Sequence, residues 1–314
     1  MQQFLVTVKG EHQRADLALL TELLKTITTL SRSHVKSLFH NKRVLMSGKP
    51  IPPSFLLSTG THQLVIIDWN PEELLETNAR PSKHGPFLPT IYEDEFLLVL
   101  NKESGIPSIP HTPEETETAV GSALAKVPSI SDIGYKGLEP GIMHRLDTLT
   151  SGILVFAKKQ EEFLRLRALW KTGKIKKTYR ALSGSGHPLP PMPFTIDYRI
   201  AHDVRSKKRM IAITDDVPDK QIRGKPIKAV THVLKAAQSM ASGLTEFTIE
   251  IETGVMHQIR CHMAQKDFPI LGDTIYGGQP SSRLWLHAWR LTLPAVSGIV
   301  LTLEAKLPAS WPGY

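Results

Sequence analysis

A single cysteine, Cys261, occurs in 314 residues. No intrachain disulfide can form, and a zinc site built on several thiolates is excluded. Long apolar runs are missing as well. The longest, such as Phe96-Leu97-Leu98-Val99-Leu100, fall far short of the roughly 18 residues that a membrane span requires. The opening MQQFLVTVKGEHQR lacks the apolar centre of a secretory signal. These absences point to a cytoplasmic protein with no membrane partner. Several catalytic signatures are also absent. No G-x-S-x-G elbow surrounds Ser151, which argues against an α/β-hydrolase. HRLD at 144–147 lacks the downstream Asn and the preceding Gly-rich loop of a kinase. No dinucleotide-binding or Walker A glycine run sits between a strand and a helix. His257 and Cys261 fall four apart on one helix, beside His262, but no second cluster completes a tetrahedral site, so no metal is expected.

What is present is a real core and a clustered positive charge. Hydrophobic residues make up 41% and charged ones 22% of the chain. That suits a globular protein of about two domains, at roughly 100–200 residues each. Net charge is +8 and the pI about 9.4. Residues 165–180, RLRALWKTGKIKKTYR, carry seven Lys or Arg and no acid. Residues 199–228 carry nine basic residues against four acidic ones. Such patches favour a phosphate-rich partner, nucleic acid foremost, through counterion release. An anionic membrane surface or a merely solvated face are the alternatives.

Residues 1–69 read as a small unit. LALLTELLKTI places Leu20, Leu23, Leu24 and Ile27 on a helical period. SRSHVKSLFHNKRV follows, with Ser31 or Ser33 as its cap and Val35, Leu38 and Phe39 on one face. VLMSGKPI then predicts a hairpin turning at Ser47-Gly48-Lys49, and HQLVIIDW a strand. Arg32, Lys36, Lys42 and Arg43 lie on or just after the second helix. This helix-helix-hairpin with a basic second helix resembles the αL RNA-binding module first described in a small-subunit ribosomal protein. The resemblance implies that those four basic residues contact RNA. Thr61 departs from it, standing where the module often carries an acid. A helical-hairpin dimerisation arm is the alternative.

Residues 70–90, rich in Pro, Asn, Ser and charge, read as a linker. From Ile91 to the end the pattern is many short strands with few helices. FLLVLNK, ILVFAKK, TYRALSG, THVLKAA, EFTIEIET, WLHAWRLTL and GIVLTLEAKL are strand candidates, and helices fall near 159–171 and 256–266. That alternation predicts an α+β domain over 91–314, on a large mixed, mostly antiparallel sheet. Residues 104–140, with Gly, Pro and the acids Glu114, Glu115 and Glu117, predict a mobile insertion.

The stretch GIMHRLDTLTSGILVFAKK, 141–159, packs His144, Arg145 and Asp147 against a strongly apolar strand. A carboxylate at a core's edge is either neutralised by a partner or kept for chemistry. Three further segments can converge on it: KKTYRAL with Tyr179, HQIRCH with Arg260 followed by a Leu-Gly-Asp turn, and LHAWRL. In this order, the motifs HRLD..TSG, K.Y, HQIR.H and LGD..YG resemble the RluA family of pseudouridine synthases, over about residues 91–307. The resemblance implies the pseudouridine synthase fold and the isomerisation of uridine in RNA, with large-subunit ribosomal RNA as target.

Carried over by position, Asp147 resembles the family's catalytic aspartate and Arg260 the basic residue paired with it. Tyr179 resembles the tyrosine that packs on the target base. Arg145 resembles the arginine that enters the RNA where the nucleotide leaves. His144 is read as hydrogen-bonded behind the loop and is counted with Arg145 on the substrate side; His257 is read as structural. Pseudouridine formation breaks an N-glycosidic bond, turns the uracil and rejoins it through C5, so it needs no cofactor. The aspartate must begin ionised, and a fixed guanidinium favours that form against the cost of burial. Flipping the uridine costs a few kcal/mol, part of which Arg145 offsets by filling the gap. Attack on the ring and proton abstraction from the ribose remain equal options. Val255 and Glu103 depart from the family's usual arginine and proline. A non-catalytic ribosome-assembly factor, a transfer-RNA-directed synthase and an enzyme on free nucleotides are the rival readings. The absence of heptads points to a monomer.

Overall fold

A computed structural model describes residues 1–314 except 28–29, 31, 72–77, 136, 185, 207, 240–241 and 313–314. The chain divides into two compact units. The first comprises Met1–Arg80, Pro110–Thr116 and Tyr135–Pro140, and the second Pro81–Ile109, Glu117–Gly134 and Gly141–Tyr314.

In the first unit, β1 (Gln2–Arg14) leads into α1 (Ala15–Leu23), then α2 (Arg32–His40), β2 (Val44–Met46), β3 (Lys49–Pro50) and β4 (Leu56–Ile66). The four strands form one sheet in the order β1-β4-β2-β3. Val35, Leu38 and Phe39 of α2 and Leu19 and Leu23 of α1 bury against Val6, Val8, Leu64 and Ile66 of the sheet. The long β1 was not anticipated. Its alternation is short, with only Val6 and Val8 of thirteen residues fully buried. The face of α1 also differs from expectation: Ala15, Ala18, Leu19 and Leu23 are buried, whereas Leu24 is 38% exposed. The helix ends at Leu23, so the expected period overruns it. The hairpin turns at Ser47 and Gly48, both with positive φ (51° and 75°), as a two-residue loop requires. The expected Ser31 or Ser33 cap lies outside the described residues.

The second unit carries β5 (Thr90–Glu93), β6 (Leu97–Lys102), α3 (Ala119–Lys126), β9 (Ser151–Ala157), α4 (Gln160–Lys171) and β10 (Lys176–Ser183). Further on come β11 (Phe194–Ile196), β12 (Ile200–Asp203), β13 (Met210–Ala212), β14 (Ile222–Ile227), β15 (Thr231–Gln238), β16 (Thr245–Ile251), α5 (Gln258–Gln265), β17 (Leu286–Pro294) and β18 (Val300–Glu304). Before β9 in the chain come β7 (Gly134–Tyr135) and, within the first unit, β8 (Glu139–Pro140). A nine-stranded sheet runs β11-β15-β16-β10-β17-β9-β6-β5, with β18 also on β17. Among the described residues only the β17–β9 pairing is parallel, so the fold is α+β on a mixed, mostly antiparallel sheet. β12, β13 and β14 make a separate small sheet.

Every residue of β9 is buried. Its neighbour α4 drops Phe163 and Leu166 onto Val155 and Leu97. The parallel contact with β17 dictates Gly152. Its φ is 117°, and a Cβ there would stand 2.2 Å from the carbonyl oxygen of Ala288. Within the segment 104–140, expected to be a mobile insertion, the second unit forms regular structure at α3. Thr118 caps α3 by accepting the N–H of Gly121 at 3.0 Å, and Ala119, Val120, Ala123 and Leu124 are buried. No helix among the described residues is long and apolar enough to cross a membrane.

Candidate active site

The register across the middle of the sheet assembles the site. Tyr179 on β10 lies opposite Ala288 on β17, and Ala288 lies opposite Gly152 at the start of β9. The loop that feeds β9, with Asp147 in it, therefore ends two strands away from Tyr179. On the other edge of β10, β16 runs out at Ile251 into the turn that starts α5, which brings Arg260 back over the same strands. Arg145, Asp147, Tyr179, Val255, His257 and Arg260 line one cleft.

The loop is fastened by the segment 102–108. Ser108 Oγ donates to the carbonyl of Leu146 at 2.7 Å and accepts its N–H at 3.0 Å. Gly105 N–H donates to Thr148 O at 2.9 Å, and Ser104 Oγ to Leu149 O at 2.6 Å. Lys102, with no exposed surface, donates from Nζ to the carbonyls of Glu103 (3.0 Å), Ile106 (2.7 Å) and Thr148 (3.0 Å). Three acceptors match the three N–H bonds of an ammonium. Burial nevertheless lowers its pKa to about 7, against the raising effect of Asp147. At the loop's far end, Arg283 donates to Ser151 Oγ, which shares a hydrogen bond with His287 Nδ1 at 2.8 Å. None of Lys102, Ser104, Ser108 or Arg283 was singled out from the sequence.

Arg260 is 3% exposed and bridges two carboxylates. Its Nε and Nη2 donate to Oδ2 and Oδ1 of Asp273 at 2.7 and 2.9 Å, and its Nη1 donates to Oδ2 of Asp147 at 3.1 Å. The planar fork on Asp273 sets the guanidinium's orientation, so that the third donor meets Asp147 at a fixed place. Burial works against the arginine's charge, but the two carboxylates outweigh it and raise its pKa. Asp273 has no exposed side-chain surface, whereas Asp147 is 26% exposed. The partner and the orienter are thus buried, and the carboxylate facing the cleft is not. Asp273 was visible only as the last letter of the Leu-Gly-Asp turn.

Tyr179 is buried, and its pKa is raised first by burial and then by the charge of Asp147. The phenol stays protonated at neutral pH and offers a ring face with a neutral hydroxyl. Two residues earlier, Lys177 donates to Thr253 O at 2.8 Å, and burial lowers its pKa to about 8. Arg145 is exposed at the cleft. His144 stacks on Trp170 with centroids 5.0 Å apart and 28° between planes. Its Nε2 is enclosed without a hydrogen-bond partner, in place of the expected bond behind the loop. Burial, with Lys177 nearby, pushes its pKa down to about 3.

The remaining members of HQIRCH are explained by packing. The side chain of Gln258 donates to Val230 O and Thr231 Oγ1 (2.8 and 3.0 Å) and accepts from Thr253 Oγ1 and Val255 N–H (2.7 and 3.1 Å). His262 is held between Thr231 Oγ1 and Tyr198 O, each at 2.9 Å. Burial pushes the Cys261 thiol up to about 12, so it is inert.

The four basic residues expected to meet RNA lie in the first unit. Lys42 is exposed, and Lys36 and Arg43 are half-buried. Arg32 is engaged within the fold, where its guanidinium pairs with the fully buried Asp16 at 3.0 Å, alongside Arg14.

A cleft holding a partly exposed carboxylate on a doubly anchored arginine, beside a buried tyrosine, suits chemistry on a flat polar base. The family model described as RNA pseudouridylate synthase matches residues 96–265. The chain belongs to this family and is an RNA pseudouridine synthase, an isomerase. Among curated proteins it is 29% identical over 308 residues to "Ribosomal large subunit pseudouridine synthase D" of Neisseria meningitidis (serogroup A, strain Z2491), covering 91% of this chain and 74% of that one. The protein of the same name from Escherichia coli (strain K12) is 30% identical over 313 residues, covering 94% of this chain and 87% of the other. In fold, the solved structure of human RNA pseudouridylate synthase domain containing 1 superposes with a TM-score of 0.57 at 21% identity, over 71% of this chain and 84% of that one.

Proposed function

We propose that this chain converts uridines of large-subunit ribosomal RNA to pseudouridine in the cytoplasm, as a monomer, with Asp147 as the reacting carboxylate. The observation that carries the reading is the Asp147–Arg260–Asp273 chain at the cleft. Its buried guanidinium places Asp147 at the cleft, while Asp273 keeps the guanidinium from following the substrate. Tyr179 stacks on the flipped uracil, and Arg145 fills the place it leaves in the RNA. The reaction breaks the bond from C1′ to N1 and makes one from C1′ to C5; the proton on C5 leaves and N1 gains one. The N-terminal unit adds RNA affinity through Lys36, Lys42 and Arg43, whereas Arg32 acts mainly by neutralising Asp16. The names of the curated relatives support the ribosomal target.

The test is carbodiimide mapping of ribosomal and transfer RNA from cells lacking the protein, rescued by the natural chain or by Asp147→Asn. Sites restored in large-subunit RNA by the natural chain alone support the reading. Sites lost only from transfer RNA, or equal rescue by both, sink it.

A further inference from the structure

His257 closes a chain of contacts that the roles given so far leave unused. It stands at the entry to α5 with φ 55°, in the left-handed region that non-glycine residues seldom occupy. Its side chain is 12% exposed and lines the cleft. Nδ1 lies 3.1 Å from Tyr276 Oη, and that oxygen accepts the backbone N–H of Met210 at 2.9 Å. Nε2 lies 3.7 Å from Asp147 Oδ2. The charged groups around the ring are Asp147, Arg260 and Asp273. Burial is the largest influence on it and keeps it neutral.

The positions of the protons follow from these contacts. Tyr276 Oη already accepts from Met210 and has its own hydrogen to give, and Nδ1 is the acceptor beside it. Were the proton on Nδ1 instead, the tyrosine hydrogen would lose this partner and an Nε2 lone pair would face a carboxylate. Tyr276 is itself fixed: it is buried, and the Arg260 guanidinium lies 5.4 Å over its ring. Arg260, Tyr276 and His257 therefore form one block around Asp147.

We infer that His257 is a positioning residue for Asp147: Tyr276 fixes its tautomer, and its Nε2–H joins Arg260 Nη1 at Oδ2, which leaves Oδ1 to meet the nucleoside. The terminal torsion of an aspartate is soft. One hydrogen bond leaves the carboxylate free to swing, and a second donor on the same oxygen stops it. At 3.7 Å the contact is longer than a formed hydrogen bond. Such bonds are commonly long in a free enzyme and tighten once substrate is bound. Among the described residues, Asp147 receives one side-chain hydrogen bond, from Arg260 Nη1, and it falls on Oδ2. The inference rests on Asp147 being the reacting carboxylate.

The test uses the full chain, an RNA substrate labelled with tritium at uracil C5, and two independent readouts. The first is the 15N spectrum of His257 in the natural protein, which should show a protonated Nε2 and a bare Nδ1, with a mixture in Tyr276→Phe. The second is steady-state kinetics. Asn tolerates the left-handed backbone but is too short to reach Asp147, so His257→Asn should lower kcat about 10- to 100-fold, with KM for RNA changed by no more than about twofold. Gln places an N–H near the lost Nε2–H, so His257→Gln should regain most of the activity. A proton found on Nδ1 overturns the inference, whether or not the variants fold. Natural kcat in His257→Asn also overturns it, as does a loss that Gln does not repair while melting is unchanged. Asp147→Asn runs alongside: if it stays active, the reading of Asp147 fails, and if it is dead while His257→Asn is not, only the present inference fails.

Discussion

Replacing Arg260 by leucine tests whether the arginine is an anchor or a bystander. The side chain is 3% exposed and serves three hydrogen bonds, two to the fully buried Asp273 and one to Asp147. Leucine fills part of the volume but strands the Asp273 carboxylate in the interior. Removing one partner of a buried ion pair costs about 3–5 kcal/mol, because the other charge is left uncompensated. In a unit of this size that lowers Tm by very roughly 6–20 °C. The double variant Arg260→Leu/Asp273→Leu removes the stranded charge and should recover about 2 kcal/mol or more of the loss. Both variants should be inactive, since Asp147 has lost its fixed partner. Urea titration at pH 7 reads the stability and tritium release from C5-labelled uridine the activity. An Arg260→Leu protein within about 1 kcal/mol of the natural one, or a double variant no more stable than the single, would refute the anchoring argument.

Gly152→Ala should destabilise the protein by at least about 2 kcal/mol in the same titration, since φ is 117° and the new Cβ meets the backbone of Ala288 at 2.2 Å. His144 should impose an acid limb on stability. The folded ring, pushed down to about 3, stays neutral where the unfolded ring takes a proton below about 6.5, so stability falls with pH through that window. His144→Phe keeps the stack on Trp170 and should flatten the loss between pH 6.5 and 4 by up to about 1.4 kcal/mol per pH unit, read by melts across that range. Lys36→Gln with Lys42→Gln should weaken RNA binding, reduce the salt slope by about one to two, and leave kcat at saturating RNA unchanged in filter-binding and turnover assays.

The sheet was legible because its strands carry long apolar runs, as in Ile153-Leu154-Val155-Phe156-Ala157, buried on both faces. β1 was not, since its alternation is diluted by polar positions, and β11 to β14 were not, since they are three to six residues long. In the site, the residues with unusual chemistry in short motifs stood out: Asp147, Arg260 and Tyr179. Those that hold them did not. Lys102, Ser104 and Ser108 act on the loop through backbone carbonyls 38 or more residues away, and no spacing in the chain records such a contact. Segment 104–140 reads as mobile because it holds glycines, prolines and a short acidic run, yet its first residues clamp the Asp147 loop. The ion pair of Arg32 with the buried Asp16, sixteen residues earlier, leaves no mark in the local pattern.

The most direct test is Asp147→Asn in the purified full chain, assayed for tritium release from C5-labelled ribosomal RNA and for binding to the same RNA. Asn keeps the shape and the contact with Arg260 but removes the charge. The account predicts no detectable release with binding near that of the natural protein. Turnover by Asp147→Asn at the natural rate would contradict it.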